Sequence, residues 1–187
     1  MTDMFGFGRR KMEIDPADMY AMILYQVGAL KAMLDAEGVP LNHVKPHGEL
    51  FFYMQRDLTI MRAVLEACKV FDVPVYGAQS ADEKAMCEEL GLIFVEEVYV
   101  DIDYSAARKL LPVAQSKQVT PDDVGKRVTS MMRDDSTLDN EGKFLKMGFE
   151  GRPFSICIHS DMPTALDNAK AVRKAVDVVN KERGLSG

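Results

Sequence analysis

Apolar residues recur along this chain in two alternating rhythms, one helical and one extended. Asp15-Pro16 opens the first regular segment, with Asp as N-cap and Pro at the first helical position. Met19, Ile23, Val27, Leu30 and Leu34 then keep helical spacing, and Gly38 stands where a C-cap glycine belongs. Before this helix, Met1 to Glu13 has no period and reads as irregular. Leu41 to Val44 is a short apolar run and predicts a strand. A second helix is predicted from about Asp57 to Phe71, with Ile60, Val64 and Ala67 or Cys68 on one face. Val73 to Tyr76 predicts a strand closed by Gly77.

Ser80-Ala81-Asp82-Glu83 has the form of a capping box and opens a helix that Gly91 ends. Leu92 to Val100 predicts the next strand. Asp101 to Val119 is the least regular part, read as a long loop with a helical turn near Ala106 to Leu111. Thr120-Pro121-Asp122-Asp123 starts another helix, running to about Arg133. Asp134 to Arg152 is polar and contains glycines, as a hairpin or excursion would. Phe154 to Ile158 predicts the last strand. A final helix opens at Pro163 or Thr164, runs through Ala165, Ala169, Val172, Ala175, Val176 and Val179, and frays at Gly184. Strands that alternate with helices in this way predict an α/β fold with parallel strands covered by helices. A chain that begins with a helix and holds about four strands suggests a barrel lacking its first βα units.

Composition narrows the class of partner. The chain has 187 residues, 47% of them apolar and 28% charged, within the range of one globular domain. Its net charge is −6, whereas a nucleic acid or an anionic membrane needs a basic face. No run approaches the ~18 apolar residues of a membrane span. No charged-then-apolar leader opens the chain, so a cytoplasmic location is expected. Cys68, Cys87 and Cys157 form no close pair and read as reduced thiols.

The candidate chemistry sits at strand ends. Two of the three histidines and a lysine fall within His43-Val44-Lys45-Pro46-His47. The third histidine repeats the arrangement in His159-Ser160-Asp161, after the last strand. Loops at the carboxyl ends of parallel strands converge on one face, so Lys45, His47, His159 and Asp161 are expected to meet there. Lys45 suits a carboxylate or an acyl phosphate. His47 suits proton transfer near neutral pH. His159 and Asp161 alternate by two, so a His-x-Asp pair could orient an imidazole or bind a metal. His43 reads as a strand residue in a polar contact. Of Glu96 and Glu97 one must point inward, as a base or as an ion-pair partner of Lys45. Gln79 follows a strand end and could line the pocket, while Ser80 reads as a helix cap. Arg9-Arg10 reads as a solvated or interface patch. No G-x-x-x-x-G-K-[ST] loop is present, so the chain has no autonomous ATP site.

These residues resemble the LamB/YcsF family, which includes the A subunit of the bacterial ATP-dependent 5-oxoprolinase. Gly6-Phe7-Gly8-Arg9-Arg10 resembles the family's GFGRR segment, and Tyr25-Gln26-Val27-Gly28-Ala29-Leu30 its YQ-[IV]-GAL helix. Val44-Lys45-Pro46-His47-Gly48 matches its VKPHG motif, the most specific of the set. Gly91 to Tyr99 is similar to GLRFAEEVF, and Ser155 to Asp161 to the closing SIC-[VL]-HGD. The departures are equally definite. The family's DLNxDxGE, CGFHAGD and GAHPS segments are not found. Its DRxY appears as Asp101-Ile102-Asp103-Tyr104 and its LVPR as Leu111-Pro112-Val113-Ala114, both without arginine. Phe51-Phe52-Tyr53 is aromatic where the family is small and turn-rich.

The resemblance implies one domain over residues 1–187, a parallel (β/α) partial barrel of the glycoside hydrolase/deacetylase type, truncated at the N-terminus. It implies hydrolysis of the lactam of 5-oxoproline to L-glutamate, with ATP used through a complex of partner subunits. An unstrained lactam is a poor electrophile, and phosphorylating its amide oxygen would activate it for water attack. Lys45, His47, His159 and Asp161 are then the candidate catalytic residues, and Glu97, Gln79 and Arg10 the candidate substrate-binding ones. No metal is assigned. Two other readings stay open: a catalytically inactive half-barrel serving binding or assembly, and a metal-dependent amide or carbohydrate deacylase. A barrel without its first units leaves open strand edges, so a self-dimer or a separate N-terminal fragment is an expected partner.

Overall fold

The computed structural model of the chain describes residues 5–6 and 8–185. Met1 to Met4 and Phe7, part of the predicted irregular start and of the GFGRR segment, lie outside the described residues. The chain divides into two compact units, Met1–Glu97 and Val98–Gly187.

The first unit is mainly helical. Helix α1 spans Pro16–Ala36, and its N-cap Asp15 accepts the backbone N–H of Ala17. Helices α2, Glu49–Arg56, and α3, Leu58–Lys69, follow almost without a break, because Asp57 ends one and caps the other. Strand β1 is Val75–Gly77, helix α4 is Ala81–Leu90, and strand β2 is Phe94–Tyr99. β1 and β2 are parallel, with Val75 opposite Phe94 and Gly77 opposite Glu96. The core of this unit gathers Met19, Ile23, Met54, Ile60, Val64, Leu65 and Val75. The apolar periodicity of α1 and α3 supplies most of these positions.

The predicted strand Leu41–Val44 is reduced to one residue. Val44 alone bridges Val75 in parallel: its N–H donates to Pro74 O and its carbonyl accepts from Tyr76 N, both at 2.9 Å. Leu41 to His43 make no ladder. Helix α2 is an addition to the elements that the sequence predicts. It carries Leu50, Phe51 and Met54 inward, so the aromatic departure from the family pattern lies on a helix.

The second unit begins with the end of β2. The following residues, Val100 to Tyr104, are buried although irregular. The expected helical turn near Ala106 to Leu111 is absent. A bridge between Tyr104 and Leu110 closes that loop, and a short 3-10 turn follows at Val113–Gln115. Helix α5, Pro121–Asp134, has a complete capping box in which Thr120 and Asp123 serve each other's backbone N–H groups. The polar segment that follows is an antiparallel hairpin, β3, Ser136–Leu138, with β4, Phe144–Lys146. Strand β5 is Ser155–Cys157 and helix α6 is Ala165–Glu182. α5 and α6 pack through Val124, Val128, Met131, Ala175 and Val179.

The larger sheet has the order β1-β2-β5, and among the described residues it is open rather than a closed barrel. The α/β class with a parallel sheet is therefore observed. Among the described residues no helix is long and apolar enough to cross a membrane.

Candidate functional site

In the first unit the Val44-Lys45-Pro46-His47-Gly48 segment is held at both ends. Val44 is fixed beside β1 by its two backbone bonds. Pro46 disfavours the helical conformation for Lys45 and keeps it extended. Gly48 has φ of +63°, and a Cβ there would stand 2.5 Å from the carbonyl oxygen of Gly8. That carbonyl accepts the backbone N–H of Glu49 at 2.7 Å. Only glycine tolerates both the positive φ and the approach. His47 lies against the same loop, its Cδ2 3.5 Å from where a Gly8 Cβ would be. The glycines of the N-terminal segment thus seat the turn that presents Lys45 and His47.

Lys45 Nζ meets Glu97 Oε1 at 2.7 Å. Glu97 is only 4% exposed, while Lys45 keeps 28% of its side-chain surface. A carboxylate at that depth needs a cationic partner. The ammonium is a three-donor cation at the more exposed end of the pair. Of the two adjacent glutamates, Glu97 is the one directed inward. His43 stacks on Tyr76 with ring centroids 4.0 Å apart, and its Nδ1 lies 2.9 Å from Asn42 Oδ1. It has a structural contact, although not on a strand. Gln79 has a buried side-chain oxygen, and Arg10 is exposed. Ser80 Oγ accepts the N–H of Glu83, which is half of the expected capping box. The other half fails because the Glu83 side chain turns inward and accepts from Gln55 Nε2 at 2.7 Å.

In the second unit His159 is held by Asp101. Its backbone N–H donates to Asp101 Oδ2 at 2.5 Å, and its ring Nδ1 lies 2.9 Å from Asp101 Oδ1. Asp101 is 2% exposed. With Nδ1–H donated to the carboxylate, Nε2 is left as the proton acceptor, an arrangement suited to general base work. Tyr99 lies beside the ring, 6.1 Å between centroids. Asp161, expected to orient this histidine, is exposed and lies in the turn after β5. The strand ends at Cys157, so alternation by two no longer relates residues 159 and 161.

Sequence reasoning missed Asp101 as a partner, and also the buried pair of Asp103 with Arg127. Arg127 donates to Asp103 Oδ1 at 2.6 Å and to Ile102 O at 2.8 Å. Continuing the period of β2 from Glu97 through Tyr99 would have pointed to Asp101. Lys45 and His47 belong to the first unit, and His159 and Asp161 to the second. Among the described residues no three His, Cys, Asp or Glu side chains gather to hold a metal ion. Cys68, Cys87 and Cys157 are buried and form no disulfide.

Comparison with known proteins gives a consistent answer. The model of the LamB/YcsF family matches residues 1–183. The lactam utilization protein lamB of Emericella nidulans is 38% identical over 185 residues, which is 99% of this chain and 73% of that protein. The 5-oxoprolinase A subunit of Pyrococcus abyssi is 35% identical over 179 residues, covering 94% of this chain and 69% of that protein. The crystal structure of the lactam utilization protein from Thermus thermophilus superposes with a TM-score of 0.84 at 34% identity, over 98% of this chain and 72% of that one.

Proposed function

The chain belongs to the LamB/YcsF family, and from that premise we propose that it is the A-type subunit of an ATP-dependent, cytoplasmic 5-oxoprolinase. The reaction opens the lactam of 5-oxoproline to L-glutamate. Water adds across the C–N bond: the carbonyl carbon gains a hydroxyl, and the nitrogen leaves as an amine after gaining a proton.

The observation that carries the reading is the ion pair between Lys45, in the Val44–Gly48 motif, and buried Glu97 of β2. Such a lysine suits stabilisation of the carbonyl oxygen as it becomes an oxyanion. His159, oriented by Asp101, has the form of a proton carrier for water attack and amine departure. The relatives named as A subunits of 5-oxoprolinase support a role in lactam use and the existence of further subunits. ATP chemistry is assigned to the assembled enzyme, since the chain carries no phosphate-binding glycine loop. The arc-of-a-barrel architecture belongs to the same proposal, supported by the parallel pairing of β1 with β2 and the Val44 bridge.

The test is reconstitution. Glutamate release from 5-oxoproline and ATP is measured with the partner subunits, with and without this chain. Release that requires the chain is expected, with little or none from the chain alone. Release that continues unchanged when the chain is omitted would refute the reading.

A further inference from the structure

The second unit contains a cavity of about 250 Å3 at the start of α6, lined among others by Asp101, Ser116, Lys117, Met162, Thr164 and Asn168. It is smaller than the ~300–1,000 Å3 of pockets that hold drug-sized ligands, so it suits a molecule of amino-acid size and not a nucleotide.

Its chemistry is specific. Asn168 is 1% exposed, and its side-chain oxygen has no hydrogen-bond partner among the described residues. A buried amide oxygen without a donor is unusual, because such groups are paired in nearly all native structures. It is an acceptor awaiting an N–H or O–H group. Asp101 cannot supply one: it is an acceptor itself, and both of its oxygens already take donors from His159. Thr164 makes no side-chain bond to the first turn of the 18-residue helix α6; the Ala165 N–H donates to Met162 O at 3.1 Å, and the next N–H groups of that turn carry the positive end of the helix. Lys117 donates to Asn140 O at 2.7 Å and retains further N–H donors. One side of the cavity thus accepts a donor, and the helix start and Lys117 favour an anion.

We propose that this cavity binds a small cyclic amide bearing a carboxylate, with the ring N–H donated to Asn168 Oδ1 and the carboxylate facing Lys117 and the start of α6. The inference rests on the oxoprolinase reading for the identity of the ligand. Its geometry is independent of that reading and makes Asn168 a specificity-determining residue. The amide N–H distinguishes a lactam from a lactone or an N-alkylated analogue. Rejecting such an analogue follows from the Asn168 oxygen being left unpaired when it binds.

The experiment measures binding to the full chain by NMR titration, with 5-oxoproline, its N-methyl derivative and 2-pyrrolidone as probes. 5-Oxoproline is expected to bind at least tenfold more tightly than either analogue and to shift the backbone signals of Ser116, Thr164 and Asn168. In Asn168→Leu, which substitutes an apolar side chain of similar size, the preference over the N-methyl form is expected to vanish. Val178→Ala, exposed on α6 and outside the cavity lining, is expected to keep it, which controls for a folding defect. Equal affinity for 5-oxoproline and its N-methyl form, or shifts elsewhere in the chain, would overturn the assignment. So would an Asn168→Leu variant that keeps the preference. Failure of the reconstituted wild-type enzyme to release glutamate would instead count against the oxoprolinase reading, because the NMR assay needs no turnover.

Discussion

Asp101 accepts both the ring Nδ1 and the backbone N–H of His159, at 2.9 and 2.5 Å. One carboxylate therefore fixes the imidazole and the loop that carries it. Replacing it with asparagine keeps the shape and removes the charge. Asp101→Asn is expected to lower kcat of the reconstituted enzyme about 100-fold, the lower end of what proton transfer contributes. It should also destabilise the chain by about 2 kcal/mol, because one acceptor oxygen becomes a donor facing a backbone N–H. Steady-state kinetics and urea denaturation measure the two effects. Unchanged kcat with an intact fold would remove His159 from the chemistry.

Glu83 supplies a pH prediction. Burial pushes its carboxyl up to about 7, against the opposing hydrogen bond from Gln55. The unfolded group ionises near 4.5. Between these values the folded chain holds a proton that the unfolded chain has lost, so stability falls as pH rises through the interval. Above pH 7 the full cost, about 3 kcal/mol, is in place; below pH 4.5 it disappears. Glu83→Gln keeps an acceptor for Gln55 and removes the ionisation. It should stabilise the chain at pH 8 and make little difference at pH 4.5. Thermal melts at the two pH values decide it, and equal melting shifts at both would contradict the burial of an ionising Glu83.

Gly77 is the position that makes room for Glu83. A Cβ at Gly77 would overlap the carboxylate, at contacts no real side chain accepts. Gly77→Ala is expected to cost about 2 kcal/mol, in the range of overpacking a core. In a Glu83→Ala background the same change should cost much less, because the two residues share one space. Additive effects in the double-mutant cycle would show that they do not compete.

Much of this was legible in the sequence where a local rule decides the outcome. The Asp15, Ser80 and Thr120 caps lie where residue type and spacing placed them. Alternation put one glutamate of β2 inward, and pairing with Lys45 was one of the two roles open to it; the structure shows that pair with Glu97. Long-range choices were less legible. Glu83 satisfies the capping-box pattern, yet its side chain goes to Gln55, 28 residues away in sequence. Asp161 was the nearer acid in sequence to His159, but Asp101, 58 residues away, holds the ring. The run before Val44 is apolar enough for a strand, and only one residue of it pairs. Helix α2 lay hidden because its apolar positions fill just two turns and merge with those of α3.

Lys45 is central to the proposed chemistry, and a paired substitution tests its role without leaving a buried unpaired charge. Lys45→Met with Glu97→Gln removes the ion pair and keeps the volume nearly unchanged. The chain should still fold and enter the complex, as thermal melts and size-exclusion chromatography would show. Glutamate release from 5-oxoproline and ATP by that complex is the measurement. A fall of at least about 100-fold in kcat/KM is predicted, the loss expected when transition-state charge stabilisation is removed. Release at the wild-type rate from an intact complex would contradict a catalytic role for Lys45 and leave this chain serving assembly alone.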